Sequence, residues 1–417
     1  MNPLLLFGGA IAILAVVLLM IAVPARLIRG VAVSAAVVSA AFGLTTFAED
    51  ANMPAYSLAT MGVILLALVR SRASRSGGVG FGAVAAWWTF VSLGVLMGSY
   101  YGSVRVILYF GLATLVAYVA SSLATQELRM VYGTIAGVAA AQVAIAVVEI
   151  LVLPEPIHGY KGGIRFNPFV GDLYARAQGT FEHPIVFAVF CGIAVVVAWS
   201  NPAQWSQKWR ITNLSVATAG LALSGTRSAI AAVAAALLVH MMLNRSFSGW
   251  MRSALAVGAM VVVMLNIDIG IATLVTNLIQ SGSWSHRLGA LESLPQLLSR
   301  PPLEAWFGYG FGSQNALYDR GLMQQTYMRA VDNMFVYALG TMGIVGLGAL
   351  LAFWAVAFVV ADRLRRALLA LLFAMFFSFD LFTWISMGVL ASMMIALPRT
   401  DSRSPVVSVR QQPALAP

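Results

Sequence analysis

Thr276 to Gly346 is the stretch that decides the fold. It is the one long polar interruption in a chain otherwise made of apolar runs. Within it stand Ser285-His286-Arg287, Pro301-Pro302-Leu303 and Gly308-Tyr309-Gly310-Phe311-Gly312. It ends on Asp332-Asn333, where the chain re-enters an apolar segment carrying Gly343-Ile344-Val345-Gly346. A connection this long is uncommon without a role of its own. On both sides of it the apolar runs are continuous rather than alternating, so helices fit and a β-barrel does not. The expectation is an all-α, polytopic transmembrane helical bundle of about 12–13 spans, with one long outward loop containing short helices.

Composition agrees. Of 417 residues, 60% are hydrophobic and 10% charged, whereas a soluble domain carries about 25% charged residues. There is too little polar surface to hold such a chain in water. The formal charge of +10 does not indicate nucleic acid, because the basic residues sit in short clusters between apolar runs, the usual orientation signal. Cys191 is the only cysteine and lies in an apolar run, which leaves no disulfide and no cysteine metal site. Met1-Asn2-Pro3 leads into an apolar run without a basic segment, so it reads as a retained first helix rather than a cleaved signal.

Candidate spans fall near residues 4–23, 30–48, 54–70, 78–98, 104–124, 130–153, 183–200, 211–224, 228–244, 253–275, 333–360, 367–380 and 383–398. The last two are short enough to form one re-entrant hairpin. With the N-terminus outside, the inward connections hold sixteen basic residues and the outward ones nine, as the positive-inside rule expects. Residues 1–398 are then a single transmembrane domain with outward loops near 154–182 and 276–332. Residues 399–417, rich in Ser, Pro and Gln, read as a disordered tail inside the cell.

The outward loops hold the chemistry. Lys161, Arg165 and Arg176 precede the seventh span, and Arg287, Arg300, Arg320 and Arg329 lie in the long loop. Arginine presents a fixed fork of donors that matches phosphate oxygens and stays charged at any working pH. The same side chains could equally reach lipid headgroups. Arg227, in Ser224-Gly225-Thr226-Arg227-Ser228, differs: it starts a helix, where backbone N–H groups also favour an anion. In Arg176-Ala177-Gln178-Gly179-Thr180-Phe181-Glu182-His183-Pro184, Gly179 permits a tight path and Pro184 a helix start. That sets His183 at the membrane edge, as a structural partner or a substrate contact. Asp332, beside Asn333, is either a helix N-cap or a general base for a sugar hydroxyl. Gly343 and Gly346 share a face and permit close helix packing. Glu49-Asp50 is the rival constellation, able to hold a divalent cation. Glu149 and Asp268 are acids in or near apolar runs with no partner identifiable from sequence. The Gly308–Gly312 run, with no preceding strand and no following lysine, is a turn-rich aromatic loop and not a phosphate loop.

Taken in order, Arg176…Gly179-Thr180-Phe181…Pro184, Ser224-Gly225-Thr226-Arg227-Ser228, His286-Arg287 through Leu291 and Leu294 to Pro301-Pro302, and Asp332-Asn333 before Gly343-Ile344-Val345-Gly346 resemble the O-antigen ligase and polymerase superfamily. The likeness covers roughly residues 140–360. It implies a bacterial inner-membrane glycosyltransferase with its site facing the periplasm. An acceptor hydroxyl would attack a glycan carried on undecaprenyl diphosphate, with inversion and without metal or other cofactor. It further implies that Arg227 and Arg287 hold the diphosphate, with Arg176 helping. The ligases of this superfamily begin the last motif with His-Asn. Asp332 departs from that, which favours a polymerase of O-antigen or exopolysaccharide units over a ligase that completes lipopolysaccharide on the lipid A-core. The expected catalytic residues are Arg227, Arg287 and Asp332, and the expected substrate contacts are Arg176, His183, Asn333, Lys161 and Arg165. The expected partners are the carrier-linked glycan, membrane lipids and a chain-length regulator protein. A metal-dependent lipid-linked glycosyltransferase and a polysaccharide transporter or flippase remain as alternatives.

Overall fold

The computed structural model describes residues 22–44, 52–71, 78–97, 104–157, 167, 169, 175–243, 251, 254, 255, 258, 288–323 and 329–399. Every regular element among them is helical. Most of the expected spans near 4–23 and 253–275, and all of the tail beyond Arg399, Glu49-Asp50 and Asp268, lie outside the described residues. So do Lys161, Arg165, His286 and Arg287.

In chain order the helices are α1 (Ile28–Phe42), α2 (Asn52–Arg70), α3 (Val79–Met97), α4 (Val104–Ala120), α5 (Thr125–Leu151), α6 (Pro184–Ser200), α7 (Gln207–Ser224) and α8 (Arg227–Met242). Three short helices follow: α9 (Leu294–Leu298), α10 (Pro302–Phe307) and α11 (Gln314–Asp319). Then come α12 (Met334–Val360), α13 (Arg363–Met375), a single 3₁₀ turn (Leu381–Thr383) and α14 (Ile385–Ala396). Among the described residues three helices are long and apolar enough to cross a membrane: Val79–Leu96 of α3, α5 and α12. Shorter apolar helices pack among them.

Helix α6 shows how the sequence sets the centre. Its Pro184-Ile185-Val186-Phe187-Ala188-Val189-Phe190-Cys191 run is apolar on every face, and it is buried on every face up to Ala198. A helix without a polar stripe has nothing to offer water and takes the middle. It packs on α7, α8 and α13. His183 caps its N-terminus, and Pro184 occupies the first turn, where its missing N–H costs nothing.

The helices share two ends. One end is basic. There Arg29 pairs with the buried Glu127 (3.1 Å), Arg210 donates to Trp199 O (2.8 Å), and Arg363 bonds the ring of His240 (2.7 Å). Arg365, near the start of α13, donates to Leu397 O just beyond α14 (2.5 Å). Helices α13 and α14 therefore run antiparallel along one another. The opposite end gathers the starts of α6, α8 and α12 and the tip between α13 and α14.

Helix α12 does not run straight between these ends. Met334 N–H donates to Phe376 O (2.8 Å), and only Ala361 and Asp362 separate α12 from α13. The two helices thus share both ends, yet α12 has 27 residues and α13 has 13. At 1.5 Å per residue these would span about 40 Å and about 20 Å. The mismatch is absorbed at Gly343, whose φ of 68° and ψ of −168° break the helix. The Gly343–Gly346 pair, expected to serve close packing within a regular helix, instead marks a sharp bend.

Two glycines make the bend possible. A Cβ on Gly343 would meet the Trp306 carbonyl at 2.4 Å, and one on Gly308 (φ 65°) would meet Thr341 O at 2.2 Å. The bend strands the last carbonyls of residues 334–342, and the 288–312 segment satisfies them. Tyr309 and Gly310 N–H donate to Thr341 O (2.9 and 2.7 Å), while Arg300 donates to Leu339 O (2.9 Å) and Gly340 O (2.8 Å). Without water, such groups need protein partners.

Candidate functional site at one end of the bundle

The site is built from four pieces. The first is the 175–183 loop, which α5 holds down. Glu149 accepts N–H bonds from Gly179 (2.7 Å) and Gln178 (3.3 Å). Gln142 accepts from Thr180 N–H (3.0 Å) and donates to Ala41 O (3.2 Å). Gly179 is left-handed (φ 56°), and a Cβ there would strike the Gln142 amide oxygen. Glu149, without a visible partner in the sequence, is therefore the clamp of this loop.

The clamped loop positions Arg176 and His183. Arg176 donates to Ser224 O (2.9 Å) and to the Thr226 hydroxyl (2.8 Å), joining the loop to the α7–α8 turn. His183 Nδ1 accepts from Ile185 N–H (3.1 Å). Burial, helped by the Arg176 charge, pushes its pKa down to about 3. The ring is neutral, with Nδ1 occupied as an acceptor, so Nε2 carries the proton. His183 can donate a hydrogen bond to a ligand but is a poor base.

The second piece is the start of α8. Gly225 (φ 62°) ends α7, Thr226 follows in extended conformation, and Arg227 is the first helical residue. Thr226 does not cap the helix with its side chain, because its hydroxyl lies 3.4 Å from Pro184 O and accepts from Arg176. The buried Ser228 hydroxyl has no partner among the described residues. Among the described residues the half-buried Arg227 makes no hydrogen bond or ion pair. An open helix start beside a cation is an anion site in waiting.

The third piece is the start of α12. Here the cap is Asn333: its Oδ1 accepts from Phe335 N–H (2.9 Å) and Val336 N–H (3.1 Å). Asn333, expected to touch substrate, is thus buried and committed to the helix. Asp332, half-buried next to it, is released from the capping role.

The fourth piece, the tip between α13 and α14, was not anticipated as part of the site. It places Asp380 beside Asp332. Trp384 Nε1 donates to Asp380 Oδ1 (3.3 Å), and the Trp384 ring lies 5.6 Å from that of His183. Tyr109 anchors the tip by donating to Phe382 O (3.0 Å), and Phe382 meets Trp88 edge-on. Burial first, then the Asp332 charge, pushes the Asp380 carboxyl up to about 7. Tyr318, whose hydroxyl donates to Ala330 O (2.8 Å), sits near both acids; burial and then their charges raise its phenol to about 12. Asp380 was findable: it is the only acid between Asp362 and Asp401, in an aromatic stretch inside an apolar run.

The three described arginines of the long loop are held by the protein itself. Arg300 is spent on backbone carbonyls, Arg320 pairs with Glu304 (3.5 Å), and Arg329 pairs with Asp319 (2.6 Å). Among the described residues no three His, Cys, Asp or Glu side chains gather as a metal site would require. Comparison with known protein families, with curated proteins and with solved structures finds no match.

Proposed function

We propose that the chain is a bacterial inner-membrane glycosyltransferase that polymerises lipid-linked polysaccharide units at the periplasmic face. The observation that carries this is the meeting, at one end of an apolar bundle, of two cations and an open helix start with a pair of carboxylates. Arg176, His183 and Arg227 come from the 176–227 segment, Asp332 from just before α12 and Asp380 from the tip. The basic residues crowd the opposite end, which the positive-inside rule assigns to the cytoplasm.

The chemistry follows from the placement. The diphosphate of the carrier sits against Arg227, the first-turn N–H groups and the Ser228 hydroxyl. An acceptor sugar hydroxyl approaches Asp332 and Asp380. Its oxygen forms a bond to the anomeric carbon from the face opposite the diphosphate. The carbon–oxygen bond to the diphosphate breaks, its electron pair leaves with the phosphate, and the hydroxyl proton passes to a carboxylate. Negative charge grows on the leaving group, where fixed cations and N–H groups stabilise it most strongly in a dry site. Burial first, and then the Asp332 charge, keep the proton on Asp380 up to about pH 7, so one proton is held by the pair and one base remains.

The test is a host strain lacking the gene, complemented with wild type or Arg227→Ala. Removing one such donor costs about 2.7–4 kcal/mol of transition-state stabilisation. Single repeat units should accumulate on the carrier, with long polymer lost and membrane protein levels unchanged. Normal polymer from Arg227→Ala would sink the reading. Long chains stranded on the carrier in the deletion strain would replace polymerase by ligase.

A further inference from the structure

The segment 301–307, which fills the bend of α12, turns large apolar side chains outward. Leu303 is 76% exposed, Trp306 51% and Phe307 61%, and Pro301 and Pro302 are exposed beside them. The one charged side chain of this segment, Glu304, is withdrawn onto the Tyr309 hydroxyl and Arg320. Such a patch on a polar loop calls for a partner. From the sequence this region reads as part of a long polar outward loop, and its exposed apolar side chains do not fit that.

Its place along α12 identifies the partner. The backbone of Trp306 and Phe307 lies against Gly343, and the patch continues onto the outer face of the next residues, Ile344 (36% exposed) and Leu351 (44%). Residues 344–360 lead from there to the basic end. Seventeen helical residues cover about 25 Å, close to the hydrocarbon thickness of about 30 Å. Trp306 and Phe307 therefore lie where the bilayer core gives way to headgroups, the level at which aromatic side chains concentrate. The buried bonds to Leu339 O, Gly340 O and Thr341 O keep the broken backbone satisfied at that depth.

We propose that residues 301–307 are an interfacial lipid anchor, seated in the headgroup–acyl boundary of the leaflet at the site end. The anchor holds the α12 bend at a fixed depth. It depends only on the chain residing in a membrane, not on the reaction.

The experiment places a nitroxide label on Leu303→Cys, and in parallel on Phe307→Cys, in full-length protein reconstituted into phosphatidylethanolamine–phosphatidylglycerol vesicles. The native Cys191 is fully buried and does not compete for label. Asp319→Cys, on the nearby exposed side of α11, is the aqueous control. The expected result is relaxation by oxygen and loss of relaxation by a water-soluble nickel chelate at 303 and 307, with the reverse at 319. Nickel access at 303 and 307 equal to that at 319 would overturn the proposal. Dipolar broadening between labels that persists on dilution with lipid would also overturn it, since a second copy would then cover the patch. Immobile labels shielded from both reagents would do the same, by showing that the chain itself covers it.

Discussion

Substituting Gly343 by alanine should distort the bend of α12 severely. Two costs combine there. The φ of 68° with ψ of −168° lies in a region that only glycine enters readily, which costs about 1–3 kcal/mol for any other residue. The new methyl would also sit 2.4 Å from the Trp306 carbonyl and 2.5 Å from Phe307 N. Those are backbone atoms and cannot swing aside, so overpacking adds about 1–3 kcal/mol. The total, about 2–6 kcal/mol, is a large part of a typical stability. Gly348 is the matched control. It lies in the same helix with nothing within 4 Å of its added methyl, and alanine there should be neutral or stabilising by up to about 1 kcal/mol. Thermal unfolding of both variants in detergent, followed by tryptophan fluorescence, makes the comparison. Gly343→Ala melting with wild type would refute the bend as a glycine-specific break closed by the 301–312 segment.

Removing the Arg300 guanidinium, as Arg300→Leu, leaves Leu297, Leu339 and Gly340 carbonyls without their donor. Each such group costs about 1–3 kcal/mol when buried, so proteolysis within 288–312 should accelerate sharply; wild-type resistance would contradict the role. The Asp380 carboxyl, pushed up to about 7 by burial and Asp332, stays protonated between about pH 4 and 7, where an ordinary aspartate is ionised. Its proton-accepting form appears as pH rises through 7, so transfer should rise across that range. Asp332→Asn removes a raising charge and should move the rise to lower pH while slowing transfer; a profile that does not move would separate the two acids. The same shift sets a stability trend. Folding favours the protonated carboxyl, so this group's contribution is full below about pH 4 and is lost as pH rises to about 7, measurable by denaturation at pH 5 and pH 8.

Long apolar runs were legible in the sequence because a helix in lipid has one requirement, enough consecutive apolar residues. The helices at Val79, Pro184, Arg227 and Ile385 begin within a few residues of their expected positions. The place of Arg227 at a helix start was legible too, because Gly225 and Thr226 announce it. What lay beyond reach was the division of labour among similar residues. Asp332 and Asn333 are near-equal caps, and only the backbone decides that Asn333 does the capping. Arg300 and Arg227 carry the same guanidinium, but one faces a stranded helix end and the other an open one. Asp380 feels the charge of Asp332 although all of α12 and α13 lie between them in the chain, a pairing that no local pattern encodes.

The bend of α12 answers a problem of hydrophobic mismatch. A straight apolar helix of this length exceeds the bilayer core by about 10 Å and would ordinarily tilt, leaving its end free to shift with membrane thickness. Here the surplus is folded into the protein at Gly343, and residues 334–342 become a short platform whose first residue is bonded to Phe376. Helix α12 therefore contributes only residues 344–360 to the thickness of the membrane. The start of the platform stays bonded to the tip beyond α13 whether the surrounding lipid is thick or thin.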